Sequence, residues 1–410
     1  KDKRCALLDL SVAPTAPIRG DAGRGDRPAG SAGPRPTPSG AGPALSATVA
    51  AKTSGRDAMT ALQPDFAARA KAQAGRFSGL PRYHFVGGNN DAEALPVDAL
   101  AAAAAEAVAE EGRGLAMYFS GGSPLGHEGL RGFIAKALHE KAGVNADPEE
   151  ILMVSGSLQA LDLVNGALLE AGDRVLTELE TYGGALGRIR AFGADPVGVA
   201  TDDDGMMPAA LRAALASGPK PKYLYLLPTV PNPPGIHCGS FSTNIAPGLR
   251  VGFVTADWPI LSRLMPLKTD AGSGMVEQAM LARFAPAAFD GHVERLIEAL
   301  KAKADAMMEA VDREFGAVAE YRRPDGGIFL WVTLPDAVDT SKLAQAAAAE
   351  GGAINPGAEW CADAEHGRHR LRLCFANPSR RVIVDGGAVL AEVCRREFGL
   401  PERAANIAAT

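Results

Sequence analysis

The stretch Gly239-Ser240-Phe241-Ser242-Thr243-Asn244-Ile245-Ala246-Pro247-Gly248-Leu249-Arg250-Val251-Gly252 decides how this 410-residue chain is read. It joins two β-rich runs, Ile236 to Phe241 and Arg250 to Thr255, through a turn marked by Pro247-Gly248. Working upstream, further β-rich runs occur at Val175 to Glu180, Asp195 to Ala200 and Lys222 to Leu227. Their apolar character is nearly continuous rather than alternating, as expected of strands covered by helices on both faces. Helical patterns lie between and around them: an Ala-rich run to Glu111 after Leu95-Pro96-Val97-Asp98, then Leu130 to Lys141, Leu158 to Glu170, Val276 to Phe284 and Gly291 to Phe315. The expectation is an α/β protein with a mostly parallel central sheet flanked by helices. Downstream, Gly327 to Leu334 and Arg370 to Phe375 alternate with helices at Thr340 to Glu350 and Ser379 to Phe398, which predicts a small C-terminal α+β domain.

Composition narrows the function classes. The formal net charge is −6, which disfavours a nucleic-acid partner because phosphate recognition relies on basic patches. No stretch approaches the roughly 18 consecutive apolar residues of a membrane span, and no apolar signal-peptide region stands near Lys1, so no membrane partner and a cytoplasmic location are expected. The five cysteines are widely spread and contain no CxxC pair, so they read as reduced thiols. The seven histidines include no HxxxH or HxH, so no metal site is expected. No GxGxxG follows a strand and no P-loop or GxSxG elbow occurs, which sets aside dinucleotide, nucleotide and serine-hydrolase readings.

Residues 1–58 contain no aromatic residue or histidine and are dense in Gly, Pro, Ala and Ser. Such a segment cannot bury enough apolar surface to offset the entropy of ordering it, so it reads as a disordered arm. Met59 is the first methionine and stands just before sequence of globular character, so it reads as the natural start, with the upstream residues an artefact of the reading frame. The expected organisation is then an N-terminal segment over 59–115, a large domain over 116–295 and the small domain over 296–410.

Several short signatures follow one another in a set order. Gly87-Gly88-Asn89 precedes the first long helix, and Tyr118 stands before a Gly/Ser/Pro loop. Ser155-Gly156-Ser157-Leu158-Gln159-Ala160 links a strand to a helix, where backbone N–H groups and the helix dipole can hold a phosphate; taken alone, it is more simply a tight turn. Tyr182 follows a strand end and could stack on a flat ring, although an isolated tyrosine is more often a core aromatic. Asn232-Pro233-Pro234-Gly235 and the opening stretch come next, and Gly326 to Trp331, Asn355 to Trp360 and Arg370 to Phe375 follow downstream.

Together this order resembles the class I/II aminotransferases of fold type I, which use pyridoxal 5'-phosphate, and is closest to their 2-aminoadipate or kynurenine aminotransferase-like branch. The likeness covers Tyr83 to Pro401. It implies transfer of an amino group from an α-amino acid to a 2-oxo acid by a homodimer. It also implies a phosphate cup of Ser155, Gly156, Ser157, Ser240, Ser242 and Arg250, with Tyr118 reaching the cofactor of the neighbouring subunit. Tyr182 would cover one ring face and Asn232 would bond the ring's phenolic oxygen. Arg372 would clamp the substrate α-carboxylate in fork geometry beside the backbone of Gly88. Read without the resemblance, Arg250 and Arg372 are as readily surface ion-pairing residues.

Two departures qualify the implied activity. Where the family carries the lysine that bonds to the cofactor and moves the proton, this chain has Thr243, which can do neither. The family also places a helix and a strand, with an acidic residue for the ring nitrogen, between the Asn-Pro-x-Gly turn and the Gly-Ser-Phe-Ser run. Here only Ile236, His237, Cys238 and Gly239 separate Gly235 from Ser240, whereas a crossover unit needs at least about 10–12 residues. The expectations are a truncation between 235 and 240, a sheet lacking one interior strand, and weakened or lost cofactor binding. The chain as written then reads as inactive, the alternative being a non-catalytic or truncated relative that keeps a partial phosphate cup.

Overall fold

The computed structural model describes the backbone of residues 10–14 and residues 79–202, 204–227 and 235–401. A seven-stranded sheet forms the centre, in the order Ile151–Val154, Gly252–Thr255, Ile236–Ser240, Leu10–Pro14, Tyr223–Leu226, Arg174–Glu178, Asp195–Val199. Strand sequence explains its burial on both faces. In the Ile151–Val154 strand, Ile151 and Met153 enter one apolar cluster with Phe253, while Leu152 and Val154 enter another with Val254. Successive side chains point to opposite faces, so a strand with both faces covered must be apolar at every position. Helices Ser157–Leu168 and Gly183–Ala191 contribute to the second cluster, and helices Val97–Glu111 and Glu128–Ala142 to the first.

Five strands run in one direction, because Ile151–Val154 and Ile236–Ser240 both oppose Gly252–Thr255, Ile236–Ser240 and Tyr223–Leu226 both oppose Leu10–Pro14, and the last three strands pair in parallel. The fold is thus the expected α/β class with a mostly parallel sheet. One expectation is corrected: the interior position read as lacking a strand is filled. Leu10–Pro14, inside the segment read as a disordered arm, pairs with Tyr223–Leu226 on one side and with Ile236–Ser240 on the other. The compositional argument counts what a segment can bury by itself, whereas here the neighbouring strands supply backbone partners. The remainder of 1–58, and residues 59–78, lie outside the described residues.

A second correction concerns helices. Val276 to Phe284 and Gly291 to Phe315 form one continuous helix, Met275–Phe315, with Pro286 inside it. Proline removes one backbone donor, and the buried Phe284, Ala285 and Phe289 hold the helix on both sides of that point. Along this helix, Val293 still packs in a cluster beneath the large sheet and Leu296 already belongs to the C-terminal core. That core lies on a four-stranded antiparallel sheet, ordered Glu320–Tyr321, Phe329–Thr333, Arg370–Cys374, Asn355–Pro356. It also takes in Tyr83 and Phe85, because Tyr83–His84 pairs in parallel with Gly352–Ala353. Helix Arg380–Phe398 closes it, capped by Ser379, whose hydroxyl accepts from the Val382 N–H, and ended by Gly399 in the left-handed conformation.

Candidate active site

A cavity of about 630 Å³ opens where the carboxyl ends of the parallel strands meet the C-terminal sheet. In open α/β sheets this end gathers binding sites because the strand-to-helix loops converge there. One side is built for an anion. Gly156, at φ 83° and ψ 163°, turns the chain from the Ile151–Val154 strand into helix Ser157–Leu168, a conformation close to glycine-only. Arg250 stands against it: its Nη2 donates to the Ser155 carbonyl at 3.3 Å and its Nη1 to the Pro247 carbonyl at 3.0 Å. A methyl group on Gly156 would overlap that guanidinium. Ser240, at the end of its strand, donates its hydroxyl to the Ser242 hydroxyl at 2.9 Å and accepts from the Ser242 N–H at 3.1 Å. A guanidinium, two hydroxyls and the first turn of a helix are the donor set that a phosphate monoester requires.

The other side is aromatic. On the C-terminal sheet, Arg372 lies directly opposite both Trp331 and Asn355, and Phe329 is two residues before Trp331. All four therefore share one face, while Leu330, Val332, Leu371 and Leu373 fill the core behind. Arg372 stacks between two rings, its Cζ 3.6 Å from the Phe329 centroid and 3.1 Å from that of Trp360, and Nη2 donates to Asn355 Oδ1 at 3.2 Å. Its Nε, buried, has no hydrogen-bond partner. Burial pushes its pKa down to about 9. A carboxylate entering the cavity would satisfy the open donor and favour the charged form, so the arginine is suited to receive an acid group.

Tyr182 joins the two sides. Its ring lies 5.7 Å from that of Trp360, and burial raises its pKa. Close backbone approach holds this corner: the Thr181 N–H donates to the Trp360 carbonyl at 2.8 Å, and Gly183 passes so near the Glu359 carbonyl that no side chain fits. Glu180, the one carboxylate among the described lining residues, faces His366 Nε2 at 3.0 Å and Arg370 Nε at 3.4 Å. Behind it Glu178 accepts from the Leu227 N–H at 3.0 Å, and burial raises its pKa.

The structure therefore brings Gly88, Ser157, Tyr182, Ser240, Ser242, Thr243, Arg250 and Arg372 to one cavity, with Ser155 and Gly156 at its rim through Arg250. Asn232 lies outside the described residues. Tyr118 does not line this cavity and is 77% exposed. No lysine is among the described lining residues, and Lys268 is turned to Asp270, with Nζ 2.6 Å from Oδ1 and its side chain 5% exposed. The phosphate group of pyridoxal 5'-phosphate fits the donors present, and Thr243, on the same lining, carries no amine.

Sequence reading missed the stacking partners Phe329 and Trp360 and the anchor Asn90, whose Nδ2 donates to the carbonyls of Thr243 at 3.0 Å and Ile245 at 3.1 Å. The two-residue spacing of Phe329 and Trp331 carried a signal for the first, since it places both on one strand face. Nothing local marks Asn90.

Comparison with known proteins agrees with this geometry. The chain is 31% identical over 358 residues to the 2-aminoadipate transaminase of Thermus thermophilus, covering 74% of this chain and 87% of that protein. It is 26% identical over 334 residues to aromatic-amino-acid aminotransferase 1 of Thermococcus litoralis, covering 68% and 80%. Among solved structures it is similar to the α-aminoadipate aminotransferase LysN of Thermus thermophilus, complexed with N-(5'-phosphopyridoxyl)-L-leucine, with a TM-score of 0.69, 28% identity and coverage of 77% and 93%. The profile of the family "Aminotransferase class I and II" matches residues 86–236 and 226–384, the two matches overlapping over 226–236. On fold, cavity and sequence together, this chain belongs to the class I and II aminotransferases, the family whose cofactor is pyridoxal 5'-phosphate.

Proposed function

We propose that this protein holds pyridoxal 5'-phosphate, or its amine form, without a covalent link, and that as written it does not turn over as a transaminase. Thr243 at the lysine position carries this reading. When bound, the cofactor supplies an electron sink for chemistry at the α-carbon of an amino acid. Around it Arg250, Ser240, Ser242 and the first turn of helix Ser157–Leu168 hold the phosphate, and Tyr182 lies against the ring. Arg372, held flat between Phe329 and Trp360, binds the carboxylate of an α-amino acid or 2-oxo acid, with Gly88 beside it. Asn232 would bond the ring's phenolic oxygen. Among the described residues no amine lines the cavity to take the proton, a threonine hydroxyl has no suitable basicity, and a positioned base contributes roughly 10²–10⁴ in rate.

The same reading makes the protein a cytoplasmic homodimer in which the exposed Tyr118 serves the phosphate of the second copy. The test is to incubate the full chain with pyridoxal 5'-phosphate, follow its absorbance, reduce with borohydride and map modified peptides. Saturable quenching of tryptophan fluorescence with no reduced lysine adduct is the expected result. A stoichiometric adduct on any lysine, with transaminase turnover, would overturn the proposal.

A further inference from the structure

The interior strand Leu10–Pro14 differs in kind from its neighbours. Tyr223–Leu226 and Ile236–Ser240 point the same way, yet the strand between them runs opposite to both. Gly252–Thr255 is also reversed between parallel neighbours but follows Ile236–Ser240 directly in the chain, whereas Leu10–Pro14 comes from more than 200 positions away. It pairs over Ser11–Pro14 on one side and Leu10–Val12 on the other, so both flanking ladders are satisfied. Without it the facing edges of those two strands would present unpaired N–H and C=O groups at Tyr223, Tyr225, Ile236 and Cys238, residues that are at most 1% exposed with the strand in place. A backbone group left unpaired and away from water costs roughly 1–3 kcal/mol, so pairing with the insert stabilises both edges. Pro14, the last strand position and opposite Tyr223, donates no N–H to the ladder.

We infer that the gap between Tyr223–Leu226 and Ile236–Ser240 is a strand-accepting site whose occupant is residues 10–14 of this same chain. The consequence reaches the cavity. Leu227 follows one flanking strand, Ser240 ends the other, and both line the pocket. The inserted strand therefore holds the phosphate side of the site in register with the Tyr182 side. The inference is independent of whether the protein transaminates, since it rests on pairing alone.

Hydrogen exchange on the full chain tests it. Val12 lies opposite both Tyr225 and Ile236, and Val12→Pro removes its donor at the centre of the insert. Amide protection over 223–226 and 236–240 should fall by roughly 100-fold or more, with 329–333 and 370–374 unchanged. Unchanged protection in the first two segments would refute the insertion. Should this variant aggregate, a cross-link decides. Leu10 lies opposite Cys238, and directly opposite residues share a face with Cβ atoms about 4.5–5.5 Å apart. In a Cys5→Ser background, Leu10→Cys should form a disulfide with Cys238 on mild oxidation at monomer mass. A free Cys238 thiol overturns the proposal, and a link found only at dimer mass overturns it in favour of a second copy as donor.

Discussion

Gly156→Ala should remove the preference of this protein for phosphorylated pyridoxal compounds. A Cβ at that position would stand 2.9 Å from Arg250 Cζ, so the guanidinium must leave the rim of the cup. Arg250 would lose its contacts to the Ser155 and Pro247 carbonyls and, with them, its aim at the phosphate. A charge-assisted hydrogen bond contributes about 1.5–3 kcal/mol, so affinity for pyridoxamine 5'-phosphate should fall roughly 10- to 100-fold. Strain adds a separate effect. Alanine at φ 83° and ψ 163° costs about 1–3 kcal/mol, to be read as a lower melting temperature. The assay titrates tryptophan fluorescence with pyridoxamine 5'-phosphate and with unphosphorylated pyridoxamine. Only the first ligand should weaken. Equal loss for both ligands, or none for either, would refute the assignment of Gly156 and Arg250 to an anion cup.

Further expectations concern the rest of the cavity. Thr243→Lys should create a borohydride-trappable link to the cofactor, yet leave transamination far below that of a complete family member because, on the proposed reading, the short connection between Gly235 and Ser240 supplies no acid for the ring nitrogen; full activity from this change alone would contradict the account of the short connection. Trp360→Ala uncovers one face of Arg372, an interaction of about 0.5–2 kcal/mol, so binding of an N-phosphopyridoxyl amino acid should weaken about 2- to 30-fold while pyridoxamine 5'-phosphate binds as before, by the same titration. Glu178 titrates above its ordinary 4.5 because burial disfavours the charged form. Its protonated state is therefore favoured by folding, and the stability this contributes is complete below pH 4.5 and lost as pH rises through the raised value. Glu178→Gln keeps an acceptor for the Leu227 N–H and should flatten that part of a pH–melting curve, whereas an unchanged slope would place the titrating group elsewhere.

The amino-acid sequence by itself determined the class of fold and the family resemblance, and it supplied the residues proposed for the cup and for position 243. Those readings depend on local spacing: apolar runs buried on both faces, a glycine between strand and helix, an arginine after a Pro-Gly turn. Tertiary structure alone decided the rest. Arg372 becomes a stacked cation only because register on the C-terminal sheet places it opposite Trp331 and brings Phe329 and Trp360 over its two faces. Asn90 reaches the loop of Thr243 across more than 150 positions of chain, a contact to which no periodicity corresponds. Leu10–Pro14 is the sharpest case. Its five residues read as part of a polar, glycine-rich arm, and become an interior strand because the hydrogen-bonding demand that orders them resides in other strands, far away in sequence.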